Sequence, residues 1–416
     1  MDGARTHGHA SALAAIDAML RTGPPHAMLL TGPAGIGKTT LATDIAAGLL
    51  CRDPDAAARP CGTCRGCRLR EHGNHPDLHW LRPVGPGGQI ILGKKEDLPD
   101  SPPRGVRHLV HDLSRLPMEG GARVAIIEAA HRMGDEAQGA LLKTLEEPPT
   151  GVTIILCADE EAMLLPTIRS RCARLRLGPV GARDIEAILA DQGVADAPLA
   201  ARLARLAGGR PGVALAWARA PEALRLRGEL ARTLLDLLDR GPSARLTAMR
   251  EAIPSAMALA AALDAGAVVA ADQDAAARPG PKGRRRTTPS TSGAARAIDP
   301  DPTTAAADGD DPDADPEAPV KGPPVSQRRR AVEVVVTIWI DIARDLALAQ
   351  VGATRSVHDP ALLEELTRAA RGIEPGAAAA ALERLEHGAT LLASNVSPEL
   401  VLDSLALGWP RHRDAA

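Results

Sequence analysis

An α/β chain built on a parallel sheet, followed by a mostly helical second half, is the fold class this sequence predicts. A short apolar run, Ala27 to Leu30, feeds a Gly-rich turn, Gly32-Pro33-Ala34-Gly35-Ile36-Gly37-Lys38-Thr39, and Thr39 to Leu50 is helical by pattern. Arg123 to Glu128 and Val152 to Cys157 are further apolar, β-branched runs, with a helical stretch carrying Leu141, Leu142 and Leu145 between them. Strand, helix, strand in that order implies parallel pairing. From Pro221 to about Val269, and again after Val332, the pattern is helical and rich in Ala and Leu.

Taken in order, residues 8–22 predict an amphipathic helix with Leu13, Ile16 and Leu20 on one face. The first strand, turn and helix follow, then a cysteine-bearing module over about 51–80. Arg82 to Arg104 is rich in Pro and Gly and predicts a loop or insertion, and Gly105 to Leu116 returns to helical spacing. In Ala137 to Pro149 the leucines share one face, Lys143 and Glu147 sit four apart on the other, and Pro148-Pro149 end the helix. Leu175 to Val180 predicts a last strand. Gly181 to Trp217 holds two helical patterns separated near Gly193 to Pro198, which predicts a small helical lid. Residues 272–328 have many Pro, a basic knot at Arg284 to Arg286 and an acidic run from Asp299 to Glu317. With few apolar residues to offset ordering entropy, this segment is expected to be a disordered, solvated linker. Val332, Val335, Trp339, Ile342 and Leu346 then share one helical face, and helices continue to about Leu407. The expected domains are 1–178, a lid over 179–220, and a helical domain over 221–416 that the linker interrupts.

Composition bounds the function. Of 416 residues, 45% are hydrophobic and 24% charged, and the net charge of −3 exerts no global pull toward nucleic acid or membrane. The most apolar tract, Ala256 to Ala271, contains Asp264 and falls short of a membrane span. No charged-then-apolar leader is visible, so a cytoplasmic protein without membrane contact is expected. Six cysteines, four of them clustered, suit a reducing compartment and a metal site better than disulfides. Phe and Tyr are absent, and only Trp80, Trp217, Trp339 and Trp409 are aromatic. Leu, Ile, Val and Met must therefore fill the core, and stacking on bases is excluded as a main binding mode.

Three sites carry chemistry. Gly32, Pro33, Ala34, Gly35, Ile36, Gly37, Lys38 and Thr39 satisfy the phosphate-loop pattern, with Thr40 beside them. The glycines let backbone N–H groups wrap phosphate oxygens, the lysine reaches the β/γ phosphates, and the Thr39 hydroxyl serves Mg²⁺. Hydrolysis also needs an acidic residue for the metal and a carboxylate to position water. The second strand ends Glu128-Ala129, so Glu128 can serve the metal while Ala129 polarises nothing. ATP and Mg²⁺ binding is expected, efficient turnover is not. Cys51, Cys61, Cys64 and Cys67 have spacing C-x9-C-x2-C-x2-C, and four thiolates favour a closed, structural Zn²⁺ site. His72 and His75 are expected to be bystanders. Arg171, in Ser170-Arg171-Cys172, reads equally as a surface ion-pair partner or as an arginine offered in trans to a neighbour's γ-phosphate.

These motifs together resemble the delta-prime family of clamp-loader subunits of bacterial DNA polymerase III. The resemblance rests on HAMLLTGPAGIGKTTLA at 26–42, the four cysteines with Gly73-Asn74-His75-Pro76-Asp77 after them, and GGARVAIIEAAHRM at 120–133. It rests further on ALLKTLEEPP at 140–149, LLPTIRSRC at 164–172 and GRPGVALA at 209–216. It implies an AAA+ module with a RecA-like parallel sheet and an inserted zinc module, a small helical lid, and an all-α collar through which subunits form a hetero-oligomeric ring. It implies a stator role, with Arg171 as the finger and with the delta and gamma/tau subunits, the sliding clamp and primed DNA as partners of the assembly. The gamma/tau motors share these motifs, but three positions separate this chain from them. It has Glu128-Ala129 where motors carry an acidic pair, Ala158 where they carry a sensor Thr, and Gly212 where their lid carries an Arg. A motor ATPase, and an unrelated phosphate-loop protein binding nucleic acid through its zinc module, are the rival readings.

Overall fold

The computed structural model describes residues 5–84, 88–93, 105–119, 121–276, 324–392 and 396–413. Its first half holds α1 (Ala10–Thr22), β1 (Ala27–Thr31), α2 (Lys38–Leu50), α3 (Arg65–Glu71), β2 (Leu78–Leu81) and α4 (Val106–Leu113). It continues through β3 (Arg123–Ile127), α5 (Asp135–Glu146), β4 (Val152–Ala158), α6 (Pro166–Arg171) and β5 (Ala173–Arg176). The helical remainder comprises α7 (Ala182–Asp191), α8 (Ala197–Leu206), α9 (Pro211–Arg219), α10 (Pro221–Asp236), α11 (Pro242–Ala276), α12 (Val325–Gln350), α13 (Leu363–Gly372), α14 (Ala377–Leu392) and α15 (Pro398–Leu407). None of the helices among the described residues is long and apolar enough to cross a membrane.

The strands stand in the order β2-β3-β4-β1-β5 and every neighbouring pair is parallel, as the strand-helix-strand pattern requires. The register sets Thr31 beside Ala158 and Ile127 beside Leu156, so the loops leaving β1, β3 and β4 emerge along one edge. In open parallel sheets ligands bind at that carboxyl edge. Both sheet faces are covered, because successive strand residues point to opposite sides. Met28, Leu30, Val124, Ile126 and Ile155 face Ile16 of α1 and Leu41 and Ile45 of α2. Leu29, Ala125, Ile127, Ile154 and Leu156 face Leu109 and Leu113 of α4 and Leu141 and Leu145 of α5. The buried residues of the helical remainder, from Val180 to Trp409, form one continuous core. At its centre Trp339 meets Trp409 with ring centroids 5.2 Å apart at 56°. The predicted face of α12 (Val332, Val335, Trp339, Ile342, Leu346) is buried throughout. An α/β architecture on a parallel sheet, followed by a helical remainder, is thus present.

Several boundaries differ from the sequence reading. The edge strand β5 falls at Ala173–Arg176 rather than 175–180, because Val180 joins the second core while Leu177 closes the sheet by donating to the Thr31 carbonyl at 2.8 Å. The strand β2 was not expected. Its LHWL sequence lacks β-branched residues, and it pairs on one side only, with β3. α9 is a third helix in the stretch read as two, started by Pro211 in its first turn. Glu147 lies just past the end of α5, so Lys143 and Glu147 do not form the expected in-helix pair. α11 continues through Asp272 to Ala276, and most of the expected linker, residues 277–323, lies outside the described residues. Residues 85–87 and 94–104 of the Arg82 to Arg104 loop lie outside them as well.

The cysteine-bearing insertion is fastened to the sheet by Asp77, which is completely buried at the start of β2. Its carboxylate accepts from the Met118 and Glu119 amides at 2.7 and 2.9 Å and from Nη2 of buried Arg123 at 3.0 Å. Burial alone would raise the Asp77 pKa; the two amides and Arg123 outweigh it and hold the carboxyl below its ordinary value. A depressed pKa contributes stability that is present above the unfolded value of about 3.9 and is lost as pH falls through the folded value. Asp77→Ala strands the Arg123 guanidinium and should cost about 3 kcal/mol or more, read as a lowered urea midpoint at neutral pH. The gap between Asp77→Ala and the parent should narrow in acid.

Candidate functional site

The loop from Gly32 to Thr39 leaves β1 at the sheet's carboxyl edge and enters α2. Two of its glycines are required by close approach. Gly32 has φ +146°, and a β-carbon there would stand 2.6 Å from the Leu177 carbonyl oxygen. Gly35 has φ +78°; its carbonyl accepts from the Gly212 amide at 2.8 Å, and a β-carbon would meet Val213 Cγ2 at 3.0 Å. The start of α9 therefore lies backbone to backbone on the loop. A β-carbon on Gly212 would reach the Gly35 carbonyl oxygen at 3.0 Å, so this contact leaves little room for a side chain at Gly212. Ile36 is buried and its carbonyl lies 2.9 Å from His9 Nε2, while Pro33, Ala34, Thr39 and Thr40 are exposed.

Lys38 is only 7% exposed. Its Nζ lies 2.7 Å from the Gly32 carbonyl, 2.8 Å from the Pro33 carbonyl and 2.6 Å from Asp159 Oδ1. Asp159 follows β4 directly, and its amide donates to His131 Nδ1 at 3.2 Å. His131 Nε2 stands 3.7 Å from Asp159 Oδ2. Burial lowers the His131 pKa, which favours a neutral ring with its proton on Nε2. Glu128 reaches the same edge, but its carboxylate accepts from Arg82 Nε at 3.1 Å, and that guanidinium stacks 4.6 Å over the Trp80 ring. Beside these groups Cys157 is an inert thiol, pushed up to about 12 by burial. Sequence reasoning missed Asp159 and His131. The signal available was an acidic residue straight after Ala158, where the strand delivers its next side chain to the edge.

Cys51, Cys61, Cys64 and Cys67 converge from the end of α2 and the start of α3, with all four sulfurs within 4.8 Å of one another. Cys51 lies 3.6 Å from Cys61 and 3.9 Å from Cys64, close to the ~3.8 Å edge of a tetrahedron with zinc–sulfur bonds of about 2.3 Å. Amides of Arg52, Cys61, Cys64 and Cys67 each donate to a sulfur of the group at 3.4 Å, partners that suit thiolates. The cluster is compatible with zinc. Gly66 permits the approach, since a β-carbon there would stand 2.4 Å from the Leu50 carbonyl oxygen. His72 is exposed and outside the cluster; His75 is buried, and its Nδ1 accepts from the Asp77 amide at 3.1 Å.

Arg171 ends α6, a short helix between β4 and β5. Its Nη1 donates to the Thr167 carbonyl at 2.9 Å and its Nη2 lies 2.7 Å from Glu146 Oε1, at the end of α5. The Arg171 side chain is 34% exposed and that of Glu146 49%. The pair presents a half-open guanidinium at the molecular surface, and Glu146 is a partner the sequence did not disclose.

The protein family described as "DNA polymerase III, delta subunit" matches residues 8–181. DNA polymerase III subunit delta' of Pseudomonas aeruginosa is 42% identical over 149 residues, 36% of this chain and 42% of that protein. The Escherichia coli subunit delta' is 37% identical over 193 residues, 46% of this chain and 54% of that protein. The chain thus spans about half the length of the delta' relatives it matches. Subunit tau of Escherichia coli is 34% identical over 182 residues, 43% of this chain and 26% of that protein. Among solved structures, a gamma-subunit-related protein of Thermotoga maritima aligns with a TM-score of 0.33 at 16% identity, covering 64% of this chain and 92% of that one.

The Glu146–Arg171 pair is half exposed and should contribute less than about 1 kcal/mol to the fold. Glu146→Gln is therefore expected to leave the unfolding midpoint of the chain nearly unmoved. A large drop would show that the pair holds α5 to α6 and is not a surface feature.

Proposed function

We propose that the chain, whose residues 8–181 match the family described as "DNA polymerase III, delta subunit" and which is similar to delta' subunits, is a delta-prime clamp-loader subunit that acts as a stator within the loader. In this reading residues 179–220 act as a lid and 221–416 as a collar that joins delta and gamma/tau subunits in a ring. The ring loads the sliding clamp onto primed DNA. The observation that carries the proposal is the split between the chain's two cationic sites: Arg171 is half exposed at the surface, while Lys38 is buried and engaged internally. Arg171 extends to the γ-phosphate of a neighbouring subunit, where a guanidinium stabilises charge in the transition state. The Gly32–Thr39 loop has the parts of a phosphate cradle, with Thr39 for Mg²⁺. Hydrolysis aids are missing around it, since Glu128 is paired with Arg82, Ala129 is apolar and Gly212 has no side chain.

Zinc bound by Cys51, Cys61, Cys64 and Cys67 would be structural, because four sulfurs leave no open position. It would lock the end of α2 to α3.

Two measurements test this. In a loader reconstituted with clamp and primed DNA, Arg171→Ala should slow ATP turnover by about 10³-fold at the site it serves, while Lys38→Ala leaves turnover near the parent value. Comparable slowing by Lys38→Ala would establish the motor reading instead. Elemental analysis of the purified chain should find about one zinc per chain, abolished by Cys64→Ser. Chelation should lower the melting temperature, and a metal-free chain that melts at the parent temperature would remove the zinc assignment.

A further inference from the structure

The three acceptors around Lys38 account for its entire donor capacity. An ammonium has three N–H groups and no acceptor, and Gly32 O, Pro33 O and Asp159 Oδ1 stand at 2.7, 2.8 and 2.6 Å from Nζ. A phosphate arriving in the loop finds no free N–H on this lysine. It also meets a carboxylate at the position from which a phosphate oxygen would contact Nζ. Like charges brought this close repel, even with Asp159 one-third exposed.

Asp159 is not placed there by a flexible arm. Its side chain is short, its backbone continues from β4 in register with β1, and its amide is bonded to His131. His131 Nε2 stands 3.7 Å from the second carboxylate oxygen, Oδ2. The loop itself is braced by the Gly212 amide on the Gly35 carbonyl. The lysine, its counter-anion and the loop are therefore all held by backbone contacts.

We propose that Asp159 is an internal stand-in for a nucleotide phosphate, which neutralises Lys38 and sets a low affinity of this loop for nucleoside triphosphates. This rests on reading Gly32–Thr39 as a phosphate cradle and concerns its occupancy, a matter separate from the role of Arg171. A triphosphate must displace the Asp159 carboxylate before its β and γ oxygens reach Nζ. The adenosine and α-phosphate contacts do not depend on that displacement.

The test is equilibrium binding of MgATP, MgADP and AMP to the full chain and to its Asp159→Asn and Asp159→Ala variants. Either substitution should tighten MgATP binding at least about tenfold, leave AMP unchanged, and lose the gain when combined with Lys38→Ala. Asp159→Asn keeps the size and the backbone contacts of the parent, so it decides the matter if the alanine variant is poorly folded. Unchanged or weaker MgATP binding by the asparagine variant overturns the proposal; weaker binding would make Asp159 a metal ligand instead. A gain that survives Lys38→Ala also overturns it. None of these outcomes alters what Arg171→Ala does in the loader, so the stator reading stands or falls separately.

Discussion

The parallel register of β1, β3 and β4 is the constraint on which the geometry around the Gly32–Thr39 loop depends. With Thr31 level with Ala158, and Ile127 with Leu156, the residues that follow each strand reach one edge together. That single alignment brings Lys38 to Asp159 and puts Glu128 and His131 alongside. A slip of one residue would invert every side chain across the sheet, sending Met28 and Leu30 to the face of α5 and burying the wrong side of β4. The two cores on the sheet faces and the chemistry at its edge are therefore consequences of one register, and neither can be altered without the other.

Much of this was legible in the sequence because periodicity and glycine placement report backbone geometry directly. The apolar runs at 27–30, 123–128 and 152–157 were read as strands, and the buried stripe of α12 from Val332 to Leu346 followed from helical spacing. The cysteine spacing foresaw convergence of four sulfurs, since the short C-x2-C steps leave little freedom. The strand β2 was illegible because an edge strand needs only half the ladder, and LHWL carries no β-branched signal. The strand β5 was misplaced because Leu175 to Val180 is the more apolar run, although part of that apolarity belongs to the second core. Partner choice was the least readable layer. Nothing in a linear pattern says that Arg171 meets Glu146, that Glu128 meets Arg82, or that Lys38 meets Asp159. Each pair joins residues of different segments, whose proximity exists only once the sheet is assembled.

The same physical device recurs at both cationic sites, with different consequences set by burial. Arg171 and Lys38 each rest against one carboxylate and at least one backbone carbonyl. An exposed pair is screened by water and exchanges partners at little cost, so Arg171 at 34% exposure can leave Glu146 for a stronger anion. A nearly buried ammonium is different. Lys38 at 7% exposure cannot be parted from its counter-anion without a replacement in place, because an unpaired buried charge costs several kcal/mol.

That asymmetry accounts for how a complete phosphate-loop sequence can coexist with the stator role proposed above. Losing the lysine or the glycines would disable the loop, but it would also remove packing that the fold uses, since Lys38 bridges β4 to the loop and Gly35 seats the start of α9. Retaining those residues and adding an acidic side chain after Ala158 keeps the packing while neutralising the charge that a triphosphate needs. The phosphate loop then serves as a structural joint between the sheet and the helical half, while Arg171 stays at the surface.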